Sequence, residues 1–426
     1  MAFVGFLKDR KGGVAPMLAL GIVPMIAGVG AAVDYSRANT VRTAMQNAAD
    51  ATALMLAKNA ANWTAGQLQS NATSFFAANF NRPEAPNAQV TATYSQGANG
   101  YAVKVDGTAS VATVFMSMLG ISQIPLTTTT SVNWNNAKLR VALVLDVTGS
   151  MASDGKITAL KTASHNLLTQ LQNAAQANGD VYVSIVPFSK DVNLGASYYN
   201  QTWIDWTDWE EVNGTCSNTS YHNKTSCQSH FKTWTPANHN TWNGCVTDRD
   251  QNYDTLNTVP STGSTKVVAE QYSSCPAAAM GLSYDWSSLN AKIDTLAPAG
   301  NTNQGIGLVW GWQTLTAAPF TVPSKDPNYQ YKEIIILLSD GLNTQNRWYS
   351  SASPIDTRQS ITCSNIKAAN ITIYTVQVNT GGDPTSNLLK NCATDVNKFF
   401  LLTSANQIVT TFNTIGTSLQ QLYLSK

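Results

Sequence analysis

Three short stretches of the chain carry oxygen donors in a pattern that could hold a hard cation. Asp146-Val147-Thr148-Gly149-Ser150 sets a carboxylate and two hydroxyls at alternate positions. Thr302 lies in the loop Pro298-Ala299-Gly300-Asn301-Thr302-Asn303, and Asp340 in Ser339-Asp340-Gly341. None of the five offers sulfur or imidazole. Ligation by oxygen alone, in octahedral geometry, is the chemistry of Mg²⁺ or a similar divalent cation. Two carboxylates leave charge and one coordination position over, which an exposed acidic residue of a protein partner could take. The plainer reading makes Asp146 a helix cap and Asp340-Gly341 an ordinary turn. Catalysis fits less well. A phosphoaspartate hydrolase would need a second Asp where Thr148 stands, to serve as general acid. A serine hydrolase would need Gly-x-Ser-x-Gly with a His, and Ser150 sits in Thr148-Gly149-Ser150-Met151-Ala152. Metal-activated hydrolysis would need a base or nucleophile nearby. The chain is therefore read as a binding protein and not an enzyme.

Each donor needs an element to aim it. Leu139–Leu145 is a near-continuous apolar run, suited to a strand buried on both faces of a parallel sheet. A helix is predicted from Ile157 to about Ala177, with Leu160, Ser164, Leu167, Leu168 and Leu171 on one stripe. Further strands are predicted at Val181–Phe188, Glu333–Leu338, Ile371–Val376 and Lys398–Leu402, and a helix at Asp356–Ala369. The alternation predicts an α/β fold with a doubly wound, mostly parallel sheet. Ligands of such sheets sit beyond the carboxyl ends of the strands, where Asp146 and Asp340 both fall.

Asp146-x-Thr148-x-Ser150, Thr302 and Asp340 together resemble the metal-ion-dependent adhesion site of von Willebrand factor type A domains, over about residues 136–426. The resemblance implies that the hydroxyls of Thr148, Ser150 and Thr302 coordinate the ion, while the two Asp act mostly through water.

The N-terminal third reads differently. Val14–Val33 is an uncharged run of 20 residues, enough for a helix to cross about 30 Å of hydrocarbon. Lys8, Arg10 and Lys11 precede it with only Asp9 opposing, so the first 13 residues are expected in the cytoplasm and the bulk outside. A cleaved signal peptide is the rival reading, with a shorter apolar core and a small-x-small site better than Val29-Gly30-Ala31. From Asp34 to about Asn62 a helix is predicted, with a stripe of Val41, Ala44, Met45, Ala48, Thr52 and Met55. After Arg82-Pro83-Glu84-Ala85-Pro86, alternating segments at Ala88–Ser95, Gly100–Val105 and Thr127–Trp134 predict strands, with a short helix near Ala112–Leu119. Residues 34–135 are thus expected to lay a long helix on a small sheet, in a pilin-like α+β arrangement. The basic start, Lys11-Gly12-Gly13, Ala31-Ala32-Val33-Asp34-Tyr35-Ser36-Arg37 and the Ala-rich stretch Gln46–Leu54 resemble the N-terminus of TadG-like proteins of bacterial Flp/Tad pilus assembly. That resemblance implies a single-pass inner-membrane anchor, a periplasmic or surface-exposed bulk, and other pilus-assembly components as partners.

Residues 190–283 interrupt the α/β pattern and hold Cys216, Cys227, Cys245 and Cys275, with Cys363 and Cys392 in the predicted core. In an exported chain six Cys read as disulfides, and Cys363–Cys392 is the expected core bridge. The four others permit three connectivities. A zinc site from His222, Cys227, His230 and Cys245 is the lesser alternative. Trp203, Trp206 and Trp209, interleaved with carboxylates, could face a partner or a glycan, or fill a small core. A secreted soluble adhesin binding a surface or glycan through this insertion is the alternative to a membrane-anchored assembly component. Twenty-six Lys and Arg against 25 Asp and Glu give a net charge of +1, which excludes a broad basic surface for nucleic acid.

Overall fold

The structure is a computed structural model that describes residues 14–97, 100–134, 137–175 and 177–424. The chain divides after residue 136 into two compact units. The expected cytoplasmic tail, residues 1–13, lies outside the described residues, as do several side chains of the expected span 14–33.

In the first unit, helix α1 (Val14–Ala57) and helix α2 (Ala65–Asn79) pack on an antiparallel sheet of β1 (Gln89–Gly97), β2 (Gly100–Ala112) and β3 (Gln123–Trp134), in the order β1-β2-β3. The core takes Val41, Met45, Ala48, Ala49, Ala53 and Leu56 from α1, with Val103, Val105 and Leu126 from the sheet. The expected stripe is displaced at its end. Leu56 is buried and Met55 is exposed, because a straight helix at 3.6 residues per turn rotates away from a fixed three-four pattern. Thr64 and Gln67 form a capping box that starts α2. The predicted short helix near Ala112–Leu119 is a single 3₁₀ turn, Met116–Leu119, because β2 continues to Ala112. Among the described residues no helix is long and apolar enough to cross a membrane.

The second unit is a mixed α/β layer structure. Its parallel strands are β4 (Ala137–Asp146), β5 (Val181–Phe188), β13 (Gln330–Ser339), β14 (Thr372–Val378) and β15 (Phe399–Leu402), in the order β15-β14-β13-β4-β5. Alternate residues of β4 serve opposite cores. Leu139, Val141, Leu143 and Leu145 face α3 (Lys156–Ala174), α6 (Trp286–Asp294) and α10 (Asn406–Leu424). Ala142 and Val144 face α7 (Gln304–Thr316) and α8 (Ala352–Ala368). Burial on both faces is why the run carries no polar alternation. α7 is apolar nearly all round and sits close on the sheet, and a Cβ at Gly311 would overlap Val144.

The insertion does more than interrupt. Its strands β6 (Val192–Asn193), β7 (Ile204–Asp205), β10 (Cys245–Thr247) and β11 (Val267–Ala269) prolong the same sheet beyond β5 in the order β6-β10-β11-β7, and β12 (Met280–Ser283) pairs with β5. Only β8 (Gly214–Cys216) and β9 (Trp234–Pro236) form a separate hairpin. The disulfides are Cys216–Cys227, Cys245–Cys275 and Cys363–Cys392. Cys227 and Cys245 belong to different bridges, so the zinc alternative loses both its thiolates.

Candidate metal centre

The chain runs from β4 to β5 on one side of the sheet and from β13 through β14 to β15 on the other. The order therefore reverses between β4 and β13, and the crevice beyond their carboxyl ends is the natural ligand position of an open α/β sheet. β4 ends at Asp146 and β13 at Ser339, which places Asp340 beside Asp146 with no long loop to position. Both carboxylates are nearly inaccessible.

Four of the five expected donors meet there. The Thr148 hydroxyl donates to Asp146 Oδ1 over 2.6 Å, and its N–H to the same oxygen over 2.9 Å. The Ser150 hydroxyl donates to Asp340 Oδ1 over 2.7 Å. Thr148 Oγ1 and Ser150 Oγ stand 3.0 Å apart. Thr302, the fifth, lies in a loop sewn to the first one. Gly149 N–H donates to the Gly300 carbonyl over 2.9 Å, and Ala299 N–H to the Val147 carbonyl over 2.8 Å. Gly300 adopts φ +84° in that loop, where a Cβ would run into the Tyr272 side chain. Thr302 is buried, and the Thr344 hydroxyl accepts from its N–H over 2.8 Å. Among the described residues its own hydroxyl has no hydrogen-bond partner.

Two groups escape the sequence reading. The Ser339 hydroxyl donates to Asp146 Oδ2 over 2.6 Å and accepts from Gln304 Nε2 over 3.1 Å. Gln304 accepts in turn from Gln359 Nε2 over 2.9 Å. This buried amide chain ties the head of α7 and the middle of α8 to the end of β13. Lys156, first residue of α3, sends its ammonium to Asp340 Oδ2, both side chains almost wholly buried. The signal for Lys156 was available: a cation in the first turn of a helix opposes the macrodipole and calls for a partner. Ser339 gave no signal beyond its place before Asp340.

Burial, then the neighbouring Asp340 carboxylate, push Asp146 up to about 6, against the hydrogen bonds from Ser339 and Thr148. The donor chemistry fits a hard divalent cation. The 3.0 Å contact brings the Thr148 and Ser150 hydroxyl oxygens close enough for one ion to touch both. Among the described residues no group of three or more His, Cys, Asp and Glu is gathered for a metal. Any ion here would depend on the hydroxyls.

The Trp-rich segment is mainly core. Trp209 and Trp242 are buried in the second hydrophobic cluster, and Trp209 Nε1 donates to Gln271 over 3.0 Å. Trp203 and Trp206 are half-buried against the same cluster, with Trp206 stacked on His239 at 3.9 Å between centroids. Trp209 is thus removed from any partner surface by packing between the insertion and its neighbours.

Residues 12–58 match the family model described as putative Flp pilus-assembly TadE/G-like. No curated protein gives a significant match to the chain. Among solved structures, the pilus adhesin SpaC of Lactobacillus rhamnosus GG is similar at 14% identity and TM-score 0.37, over 81% of this chain and 36% of that one. This chain therefore spans about a third of SpaC. The vWF domain of the type V pili tip protein Mfa5 of Porphyromonas gingivalis is similar at 12% identity and TM-score 0.38, over 66% of this chain and 95% of that one. Proximal thread matrix protein 1 from the mussel byssus, with a zinc-occupied MIDAS motif, is similar at 14% identity and TM-score 0.34, over 67% and 46%. At such TM-scores these likenesses do not establish shared structure.

Proposed function

We propose that the second unit is a von Willebrand factor type A-like binding domain that grips an acidic side chain of a protein partner through a divalent cation, without covalent chemistry. The observation that carries this reading is the meeting of Asp146, Thr148, Ser150 and Asp340 at the sheet's switch point. Asp146, Thr148, Ser150, Thr302 and Asp340 would hold the ion, and the ion would supply the positive charge that a partner carboxylate seeks. The match of residues 12–58 to a pilus-assembly family supports a place in Flp/Tad pilus assembly or surface attachment, with other pilus components as partners. Anchoring is the other half of the proposal. α1 exposes Leu18, Leu20, Val23, Met25, Ile26 and Val29, each more than half accessible, and so much unpaired apolar surface on a helix suits lipid. With its basic start inside, the chain would hold its bulk in the periplasm or at the cell surface.

Calorimetric titration of the chelator-stripped protein with Mg²⁺ or Mn²⁺ tests the site. One ion should bind per chain, and Ser150→Ala with Thr148→Ala should weaken it at least tenfold. No measurable binding by the folded wild type, or equal binding by wild type and double variant, refutes the metal reading.

A further inference from the structure

The loop joining β2 to β3 reverses the usual surface pattern. Val114, Phe115, Met118, Leu119 and Ile121 are exposed, Met118 at 83% and Leu119 at 62%. No charged residue occurs from Thr113 to Gln123. Scattered surface apolar residues are ordinary, but five within eight positions are a patch.

Much of the loop's backbone is hydrogen-bonded within the unit. The Asp34 carboxylate, from α1, accepts from the N–H groups of Val114, Phe115 and Met116 over 3.0, 2.8 and 2.8 Å. Ile121 N–H donates to the Met116 carbonyl over 3.1 Å, Gly120 N–H to Ser117 over 3.0 Å, and Thr113 N–H to Ser122 over 3.1 Å. The Ser117 hydroxyl donates to the Val114 carbonyl over 2.7 Å. A loop in water has no need of such thorough internal pairing. A loop in lipid does, because hydrocarbon offers its backbone nothing.

Its apolar surface also continues that of α1. Phe115 sits directly on Gly30, where a Cβ would overlap the ring. With Met25 and Val29 it borders an open apolar groove of about 370 Å³. Gly30 precedes Asp34 by four residues, so the contact lies roughly 6 Å along the helix toward its apolar end. That matches the depth, about 5–10 Å, at which interfacial elements settle below the headgroups.

We propose that the Val114–Ile121 loop is a second membrane contact: a preformed apolar tip that dips into the outer face of the bilayer beside α1, with Asp34 at the interface as its organiser. The occupant of the patch is lipid. This inference rests on the anchoring reading above, and the experiment separates the two.

All six cysteines are paired, so one added cysteine can be labelled alone. Full-length protein carrying an environment-sensitive fluorophore at Met118→Cys, Met25→Cys or the exposed Ser74→Cys is placed in phosphatidylethanolamine–phosphatidylglycerol nanodiscs with or without spin-labelled lipid. The expected result is blue-shifted emission at Met118 and Met25, quenched several-fold more than at Ser74. Shallow spin labels should act most strongly at Met118. A water-like spectrum at Met118 with a lipid-like one at Met25 overturns the loop contact and leaves the anchor standing. Water-like spectra at both positions overturn both. A blue shift at Met118 without lipid quenching means that protein, a second copy or another chain, covers the loop, and this too overturns the proposal.

Discussion

Replacing Lys156 by Met, which keeps the stem and removes the ammonium, isolates the electrostatics of the proposed ion site. The wild-type pair is buried, with Lys156 7% exposed and Asp340 0% in their side chains. Removing one member of such a pair costs about 3–5 kcal/mol, chiefly because the other charge is left buried. The Ser150 hydroxyl still donates to Asp340, which argues for the lower end, about 3 kcal/mol. A divalent cation restores the missing charge in the variant, whereas in wild type it shares Asp340 with an ammonium that repels it. At an effective dielectric of about 20, unit charges roughly 4 Å apart interact by about 4 kcal/mol. A divalent ion doubles that repulsion, and with most of it taken up by reorganisation and solvent, metal affinity should rise by at least about 2–3 kcal/mol, or roughly 30- to 150-fold. Denaturation in chelator and in saturating Mg²⁺, beside calorimetric titration, reads both quantities. The variant should be destabilised in chelator, should recover most of the loss in metal, and should bind the ion more tightly. An equal loss in both media with unchanged affinity would make Lys156–Asp340 a purely structural pair and would remove Asp340 from the ion site.

Two further substitutions probe the surroundings. Burial raises Asp248 to about 6, with the nearby Asp254 adding to it, against hydrogen bonds from Arg347 N–H and Asn303 and the attraction of Lys190. Because the folded-state value lies above the ordinary one, the native chain holds an extra proton between about pH 4 and 6, and the associated stability is lost as pH rises through 6. Two pH units correspond to about 3 kcal/mol, so Asp248→Asn should be more stable than wild type near pH 7.5 by up to that amount and equal to it near pH 4. Urea denaturation across pH in chelator checks this, and parallel curves refute it. Gly311→Ala should destabilise the second unit by about 1–3 kcal/mol, because the new methyl overlaps Val144 in a packed core; a neutral or stabilising change in thermal denaturation would show that α7 can move off the sheet.

The parallel core was legible because burial on two faces leaves an unmistakable trace. Leu139–Leu145 is apolar but for Arg140 and Ile334–Leu338 is apolar throughout, and each is followed within two residues by the Asp that its strand delivers to the crevice. The insertion was not legible as part of the same sheet. β6 and β7 have two residues each and β10 and β11 three, too few to show any period, and their pairing outward from β5, one on the next, is a tertiary fact. The same limit applies to the aromatic cluster. Alternating Trp and carboxylates in Trp203–Glu211 leave a surface and a small core equally open to the eye, and the packing decides for core at Trp209, on the inner face of the short helix Thr207–Val212. In the crevice the first loop was legible as a cluster of oxygen donors from spacing alone, since Asp146, Thr148 and Ser150 are neighbours in sequence. Ser339, Gln304 and Gln359 were not, because each acts on a residue brought to it by folding, and Lys156 signalled only that it needs a partner, not which one.

Those unforeseen residues explain why the crevice can hold two carboxylates before any ion arrives. Asp146 receives the Thr148 and Ser339 hydroxyls, and Asp340 receives the Ser150 hydroxyl and the Lys156 ammonium. Each carboxylate thus has two side-chain partners, and the Thr148 and Ser150 hydroxyl oxygens stand 3.0 Å apart between them. A simple helix cap would differ, since it spends its oxygen on backbone N–H groups of the first turn. The 3₁₀ turn Gly149–Ala152 that follows Thr148 has no side-chain cap, and Gly155, not Asp146, precedes α3. The local pattern is thus not that of a helix cap; under the proposed reading these oxygens would serve a cation, and the Lys156 ammonium on Asp340 would limit how tightly one is held.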